Sequence, residues 1–576
     1  MIAATGACDD TIHKTSFSYQ PLDETKREIR LLTICDPKKR ACTSRLIHCE
    51  INHVSLNDRP SYKAVSYVWG DPDAARPIIV NSALWHVAEN LYQFLCQFQY
   101  QESVGPLWID ALCINQEDVK EKSLQVQRMK GVYDQSSEVL AWLGICTNGT
   151  CMDIGHGAHP GFAHLDRLGG GEIAQSSIFS FNSEDYHPGG RATVWLESEL
   201  VDDRTDLTAI SEVFEHPIFT RAWCLQELAQ PSLTLVWGNH TLNGRNLFAI
   251  WEVLYQYMSV RLPPSAMRRP ASWNRLRLAL KGASSAVSAM RPGRRSRTLV
   301  QWVVTTQYYV YTTDPRDRIF AFLGLASDNM GIVADYSLGC VEAYKHVARA
   351  IFEASGLSRL LFYARSMLKN QPGLPSFVPD WSVQTRPFQV WYYPSHTRSL
   401  FKAAVADGIV AVLDPAVTKL KVRGFVIDRV SNTTRQHNIA GEGLVVRIHK
   451  TNQWISDLED VARPVLDSCC NETTRDLFRD RVMNTVLSTS FSPLWSKDDG
   501  GAALASECYR IVRKFATREE LPMQLLEGEL TADELQCLAG GLRFEAAARS
   551  SGMKGFVTEG GFVGVANPPV EVGDLV

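Results

Sequence analysis

Apolar positions in the first 245 residues fall into short runs parted by polar breaks, the pattern of strands alternating with amphipathic helices. Residues 29–34 (IRLLTI) and 46–54 read as strands of an N-terminal sheet element. Residues 62–67 (YKAVSY), β-branched and aromatic, read as another, ending at the turn signal Trp69-Gly70-Asp71-Pro72. Within 86–100, Leu91, Phe94, Leu95 and Phe98 recur three and four apart, which predicts a helix. The nearly continuous apolar run 107–114 (LWIDALCI) suits a strand buried on both faces, as in a parallel sheet. Asn115 is the expected N-cap of the next helix, with Glu117 and Asp118 near its positive end and Val119, Val126, Met129 and Val132 along one side. A strand at 139–143, helices at 207–214 and 222–229 and a strand at 233–237 (LTLVW) continue the alternation. The order predicts an α/β layer with right-handed crossovers.

Residues 145–204 interrupt this rhythm. They are rich in Gly, His, Ser and Asp and read as an insertion with short helices. Cys146, Cys151, His156 and His159 bring four nitrogen and sulfur donors together there, but the cysteine spacing is wide and nothing regular frames it, so no metal is assigned. Residues 246–335 read as a basic helical connector: 261–313 carry ten Arg or Lys and no Asp or Glu. Without the interleaved aromatics of a single-strand-binding surface, this charge reads as a solvated face, and nucleic acid is not the expected partner. Residues 336–576 form an expected C-terminal mixed α/β domain. It opens with an amphipathic helix at 341–354, continues strand-like and then helical, and closes in the Gly-rich tail GFVTEGGFVGVANPPVEVGDLV, with a strand element at each end.

Composition narrows the class without naming an activity. A chain of 576 residues exceeds one hydrophobic core, and 45% hydrophobic against 21% charged residues excludes a mainly disordered polymer. The net charge of −4 excludes a polycation. The N-terminus MIAATGACDDTIHK lacks the basic and apolar segments of a secretory signal, and no apolar run approaches the roughly 18 residues of a membrane span. Fourteen cysteines without a CxxC, several inside apolar runs, read as reduced thiols, so a cytoplasmic location is expected.

Three blocks carry a family resemblance: YKAVSYVWGDP (62–72), LWIDALCINQEDVKEKSLQVQRMKGVYDQSSEVLAWLG (107–144) and RAWCLQEL (221–228). In that order they resemble the three blocks of the fungal heterokaryon-incompatibility (HET) domain. The flanks YQPLD and IRLL upstream, and TDPRDRIFAFLGLA, ADYS and LPSFVPDWS downstream, agree. Two departures stand out. Lys122, taken with Glu121 as a surface site, stands where the family more often has Arg. The chain also ends soon after Gly573-Asp574, where relatives usually continue into a further strand, so a shortened C-terminal domain is expected. The resemblance implies fungal non-self recognition and programmed cell death, with a protein partner in allorecognition or self-association. It also implies likeness to TIR domains, hence a TIR/flavodoxin-like parallel sheet carrying an insertion, a helical connector and a C-terminal α+β domain. Some TIR proteins cleave NAD, and WCLQEL is similar to the TIR box WCxxEL whose Glu is catalytic in those members.

The expected chemistry follows. Glu227 is the candidate catalytic residue of an NAD nucleosidase, with NAD as substrate and no resident cofactor. A carboxylate near a developing oxocarbenium ion is what such a reaction requires. Ser66, Tyr67, Trp69, Gly70 and Asp71 fall at one C-terminal strand end, and Asn115 and Gln116 at another, where open α/β sheets bind ligands. Trp69 would stack on a ring, Gly70 would allow close backbone approach, and Arg221 would meet a phosphate. Three alternatives stay open: Glu227 as a surface partner of Arg221, Trp223 as core, and Asp110 as a buried structural partner. Asp314, Arg316, Asp317 and Arg318 read as a salt-bridge corner joining domains. A non-enzymatic self-associating module and an accessory protein of a biosynthetic gene cluster are the competing functions.

Overall fold

The computed structural model describes residues 17–39, 46–71, 73–100, 104–145, 159–170, 190–200, 205–260, 270–291, 297–364, 369–384, 411–422, 426, 428–436, 444–468, 554–566 and 570–574. The chain divides into two compact units, Met1–Ala343 and Tyr344–Val576. The helical stretch 246–335 thus falls inside the first unit.

The first unit is built on a nine-stranded mixed sheet. Its strands are β1 (Glu28–Ile34), β2 (His48–Ser55), β3 (Lys63–Tyr67), β4 (Ala75–Val80), β5 (Ala83–Ala88), β6 (Leu107–Trp108), β7 (Glu138–Gly144), β8 (Leu233–Trp237) and β9 (His240–Asn243). They lie in the order β5-β4-β2-β1-β6-β3-β7-β8-β9. The centre, β6-β3-β7-β8, is parallel, with Ser66 paired to Ala141 and Ala141 to Leu235. Taken by chain position these four strands run second, first, third, fourth, the order of a flavodoxin-like sheet. The expected parallel sheet is therefore its core. Antiparallel pairings of β1 with β2 and β6, β4 with β5, and β8 with β9 extend it on both sides.

Three local expectations need correction. The run 107–114 is a strand only at Leu107–Trp108; it then turns into the short helix α2 (Asp110–Cys113), because the Asp110 carbonyl accepts from Ile114 N and two side chains from outside hold the turn. Tyr19 donates its hydroxyl to Leu112 O and Ile114 O, and Arg30 donates to Cys113 O. The following helix, α3 (Val119–Gln135), is capped by Asp118, not Asn115, since Asp118 accepts from Lys120 N and Glu121 N. Its first residue, Val119, is exposed, while Gln125, Met129, Val132 and Tyr133 are buried. The helix expected within 86–100 gives its start to β5 and begins at Glu89, as α1 (Glu89–Phe98), because residues 83–88 pair along β4.

Glu121 is likewise no surface site. It receives two hydrogen bonds from Arg30, at 2.6 and 2.9 Å, and Arg30 is 1% exposed. The Arg30 guanidinium also lies 4.5 Å from the centre of the Tyr19 ring. A buried pair of this kind is held by its full set of partners rather than by charge alone.

Helices cover both faces. Leu91, Phe94, Leu95 and Phe98 of α1 pack with Val65, Tyr67, Leu140 and Trp142 of the sheet in one apolar cluster. Within the insertion, the described residues form α4 (Pro160–Gly169) and α5 (Arg191–Leu200). Gly161 packs so closely on α6 (Leu207–Glu215) that a Cβ would sit 2.3 Å from Ala209 O. Cys146, Cys151 and His156 lie outside the described residues, whereas His159 caps α4 and stacks on Trp237 at 3.9 Å. After α7 (Ala222–Leu228) come α8 (Gly244–Val260), α9 (Pro270–Ala289), α10 (Leu299–Thr306) and α11 (Asp317–Phe320). Much of the basic stretch, including Arg294 and Arg295, lies outside the described residues, while Arg275 pairs with Glu215 at 2.7 Å.

In the second unit, the strands Val430–Thr433, Lys554–Thr558 and Val563–Ala566 form an antiparallel sheet, so sequence ends far apart meet in one element. The helix Leu444–Ser468 buries Trp454, Leu458 and Ala462, and Trp454 donates to Thr434 Oγ1 at 3.2 Å. Val430 N donates to Asp574 O, and Gly573 N to Val430 O, each at 2.8 Å.

Candidate active site

Strand alternation points Val65 and Tyr67 toward α1 and Ser66 toward the opposite face, where α7 lies. Ser66 is fully buried and its hydroxyl donates to Glu227 Oε2 at 2.5 Å. Glu227 is 3% exposed, so it is not a surface partner of Arg221. Tyr133 of α3 stands beside the same carboxyl and donates its hydroxyl to Val65 O, and the Cys224 thiol lies beside Ser66.

The second carboxyl is Asp110, delivered by the turn after β6. It receives Trp69 Nε1 on both oxygens, at 3.2 and 3.1 Å, and Ala111 N at 2.8 Å. Gln116 reaches back to donate to its main-chain carbonyl at 3.2 Å. Asp110 is therefore held by an indole and an amide rather than by a salt bridge.

Two acids and one base share this pocket. Burial, followed by the Asp110 charge, pushes the Glu227 carboxyl up to about 8, against the lowering influence of Ser66 and Arg221. Burial raises Asp110 to about 6, with Ala111 N, Trp69 and Arg221 pulling the other way. Burial also lifts the Tyr67, Tyr133 and Cys224 groups above their ordinary ranges. Burial and the neighbouring Asp110 charge thus favour the protonated form of Glu227. Arg221 makes no hydrogen bond or ion pair among the described residues, although its charge acts on Asp110, Glu227, Tyr67 and Cys224. It is the pocket's uncommitted cation.

The structure gathers Ser66, Trp69, Gln116, Arg221 and Glu227 around this spot, turns the Tyr67 ring into the α1 cluster on the other face, and leaves three further expected residues aside. Gly70 forms the turn beyond it, with φ +81°, where any Cβ would press on Asn90 at 3.0 Å. Asp71 is exposed and accepts from Asp73 N within its own loop. Asn115 accepts from Glu117 N, and its own N–H donates to Glu121 at 2.7 Å, so it supports the turn. Trp69 donates its indole N–H to Asp110 through the ring edge and packs, half-buried, against the apolar cluster. Trp223 is half-buried and bonds Asp317, which also receives the Tyr336 hydroxyl at 2.6 Å. Arg316 grips Asp314, Tyr336 O and Leu338 O, so the expected corner lies wholly in the first unit. Gly324, of the downstream flank, packs on α7 so tightly that a Cβ would lie 2.5 Å from Gln226 Oε1.

Sequence reading missed Tyr133 and Cys224. Tyr133 gave no local signal, because its role arises only when α3 lies across β3. Cys224 stands beside Trp223 within the quoted box, where its sequence setting reads only as a reduced thiol.

Residues 62–227 match the family model described as Heterokaryon incompatibility protein (HET). That span opens just before the strand of Ser66 and closes on Glu227, so the two ends of the matched block build the pocket. The chain is 25% identical over 445 residues to "Heterokaryon incompatibility protein 6, OR allele" of Neurospora crassa, covering 66% of this chain and 62% of that protein. The chain thus matches less than two thirds of that relative's length. No solved structure matches the chain. No helix among the described residues is long and apolar enough to cross a membrane.

Proposed function

The chain is a fungal HET-domain protein, and from that premise we propose that it acts in fungal non-self recognition as a cytoplasmic cell-death effector whose TIR-like HET domain hydrolyses NAD through Glu227. The observation that carries the reading is the buried pairing of Glu227 with Ser66 beside a second carboxyl and an unpaired arginine, at the ends of parallel strands.

The chemistry suits this inventory. The bond between ribose C1 and the pyridinium nitrogen breaks, its electron pair leaves with neutral nicotinamide, and water supplies the oxygen that bonds C1, releasing a proton. The transition state places positive charge on the ribose. Glu227 as carboxylate stabilises that charge, with Ser66 fixing the carboxylate's orientation. A cationic pyridinium beside Glu227 favours its ionised form, against the effect of burial. Arg221 meets the phosphates. Asp110, fixed by Trp69, adds negative charge beside Glu227 and favours the cationic pyridinium ring of the oxidised dinucleotide.

In fungal cells, expression of the wild-type chain is expected to deplete NAD and arrest growth, and an equally abundant Glu227→Gln chain to do neither. Arrest by the variant without loss of NAD would favour the non-enzymatic, self-associating reading.

A further inference from the structure

Outside the pocket, one exposed aromatic stands apart. Tyr311 is 56% exposed, and its side chain makes no hydrogen bond or ring contact among the described residues. Its backbone, in contrast, is firmly held. Tyr311 N donates to Thr220 O at 2.6 Å, and Ala222 N donates to Tyr311 O at 3.1 Å. These bonds make an isolated parallel bridge between Tyr311 and Arg221.

Bridged residues lie about 5 Å apart and project their side chains to the same face. The Arg221 side chain is near enough to the pocket for its charge to act on Asp110 and Glu227. The order from inside outward is therefore buried carboxylates, unpaired guanidinium, exposed phenol ring.

We propose that Tyr311 is a base-stacking platform at the rim of the pocket, which takes the adenine of a dinucleotide whose phosphates lie on Arg221. This deepens the nucleotide reading of the same site and rests on it. The two bridge bonds fix the backbone beneath the ring before the ligand arrives, so only the side chain's own rotation has to be ordered on stacking. Alanine substitution of a stacking aromatic weakens binding by about tenfold.

The test is calorimetric titration of the full-length chain with NAD and with nicotinamide mononucleotide, which lacks the adenine. Tyr311→Ala is expected to weaken NAD binding about tenfold and to leave the mononucleotide unchanged, which also shows that the variant is folded. Tyr311→Phe, which keeps the ring, is expected to match wild type. Wild-type NAD affinity in Tyr311→Ala, or equal losses for both ligands, would overturn the platform. Absence of NAD binding by the wild-type chain would overturn the nucleotide reading and the platform together. NAD binding that depends on Tyr311 but yields no nicotinamide would support the platform and overturn hydrolysis alone.

Discussion

A buried carboxyl beside a second carboxyl ionises reluctantly, and each neighbour moves it in a definite direction. Ser66 donates to Glu227 and stabilises its charged form; Asp110 repels it. Removing one or the other must shift activity in opposite senses. If ionised Glu227 is required, kcat/KM for NAD rises with pH through about 8 in the wild-type chain. Ser66→Ala is expected to move that rise toward alkaline pH, lowering turnover at pH 7 about tenfold. Asp110→Asn is expected to move it toward acid. Shifts in one common direction would contradict the pairing.

Stability carries the same sign. Glu227 has a raised folded-state value, so the stability it contributes is complete below about 4.5 and is lost as pH rises through about 8. Glu227→Gln cannot ionise, so near pH 8.5 it is expected to melt about 5 °C above wild type, a gap that closes by pH 4.5. A gap independent of pH, followed by thermal denaturation, would exclude a buried, reluctantly ionised Glu227. At this scale the sequence was partly legible. Glu227, Ser66 and Arg221 follow from strand ends and a quoted box, whereas the role of Asp110 depends on a turn that its apolar neighbours disguise.

At the scale of elements, the site rests on the turn 110–116, which is held from outside. Tyr19 and Arg30 donate to its carbonyls, Glu121 accepts from Asn115 N, and Arg30 pairs with Glu121. Glu121→Ala would leave the Arg30 charge buried without its partner, a loss of about 3–5 kcal/mol. Chemical denaturation should register it, and a change below about 1 kcal/mol would show that the clamp is idle. The central strands were legible because strands buried on both faces read as apolar runs. The run 107–114 was not, because hydrophobicity reports burial and does not separate a short strand from a buried helical turn. Nor could the caps be placed: Asn115 and Asp118 are both good N-cap residues, and only the hydrogen bonds to Lys120 N and Glu121 N choose between them.

At the scale of the molecule, the chain has two units, each with its own buried aromatics: Trp108 and Phe94 in the first, Trp381 and Trp454 in the second. Separate cores give separate cooperative transitions. Calorimetry of the full chain is expected to resolve two, with Glu121→Ala moving one and sparing the other; a joint shift would mean a single cooperative block. The division falls after Ala343, whereas the sequence reading places its last boundary after residue 335. Three-dimensional order within the first unit was less visible, since β1, β2, β4 and β5 join the parallel core through pairings that alternation alone does not specify.

Purified full-length chain mixed with NAD, with nicotinamide and ADP-ribose followed by chromatography, tests the central claim most directly. The account predicts stoichiometric release of both by the wild-type chain at pH 8, and at least a hundredfold less by a folded Glu227→Gln variant. Equal release by the two, or none by a wild-type chain that binds NAD, would contradict it.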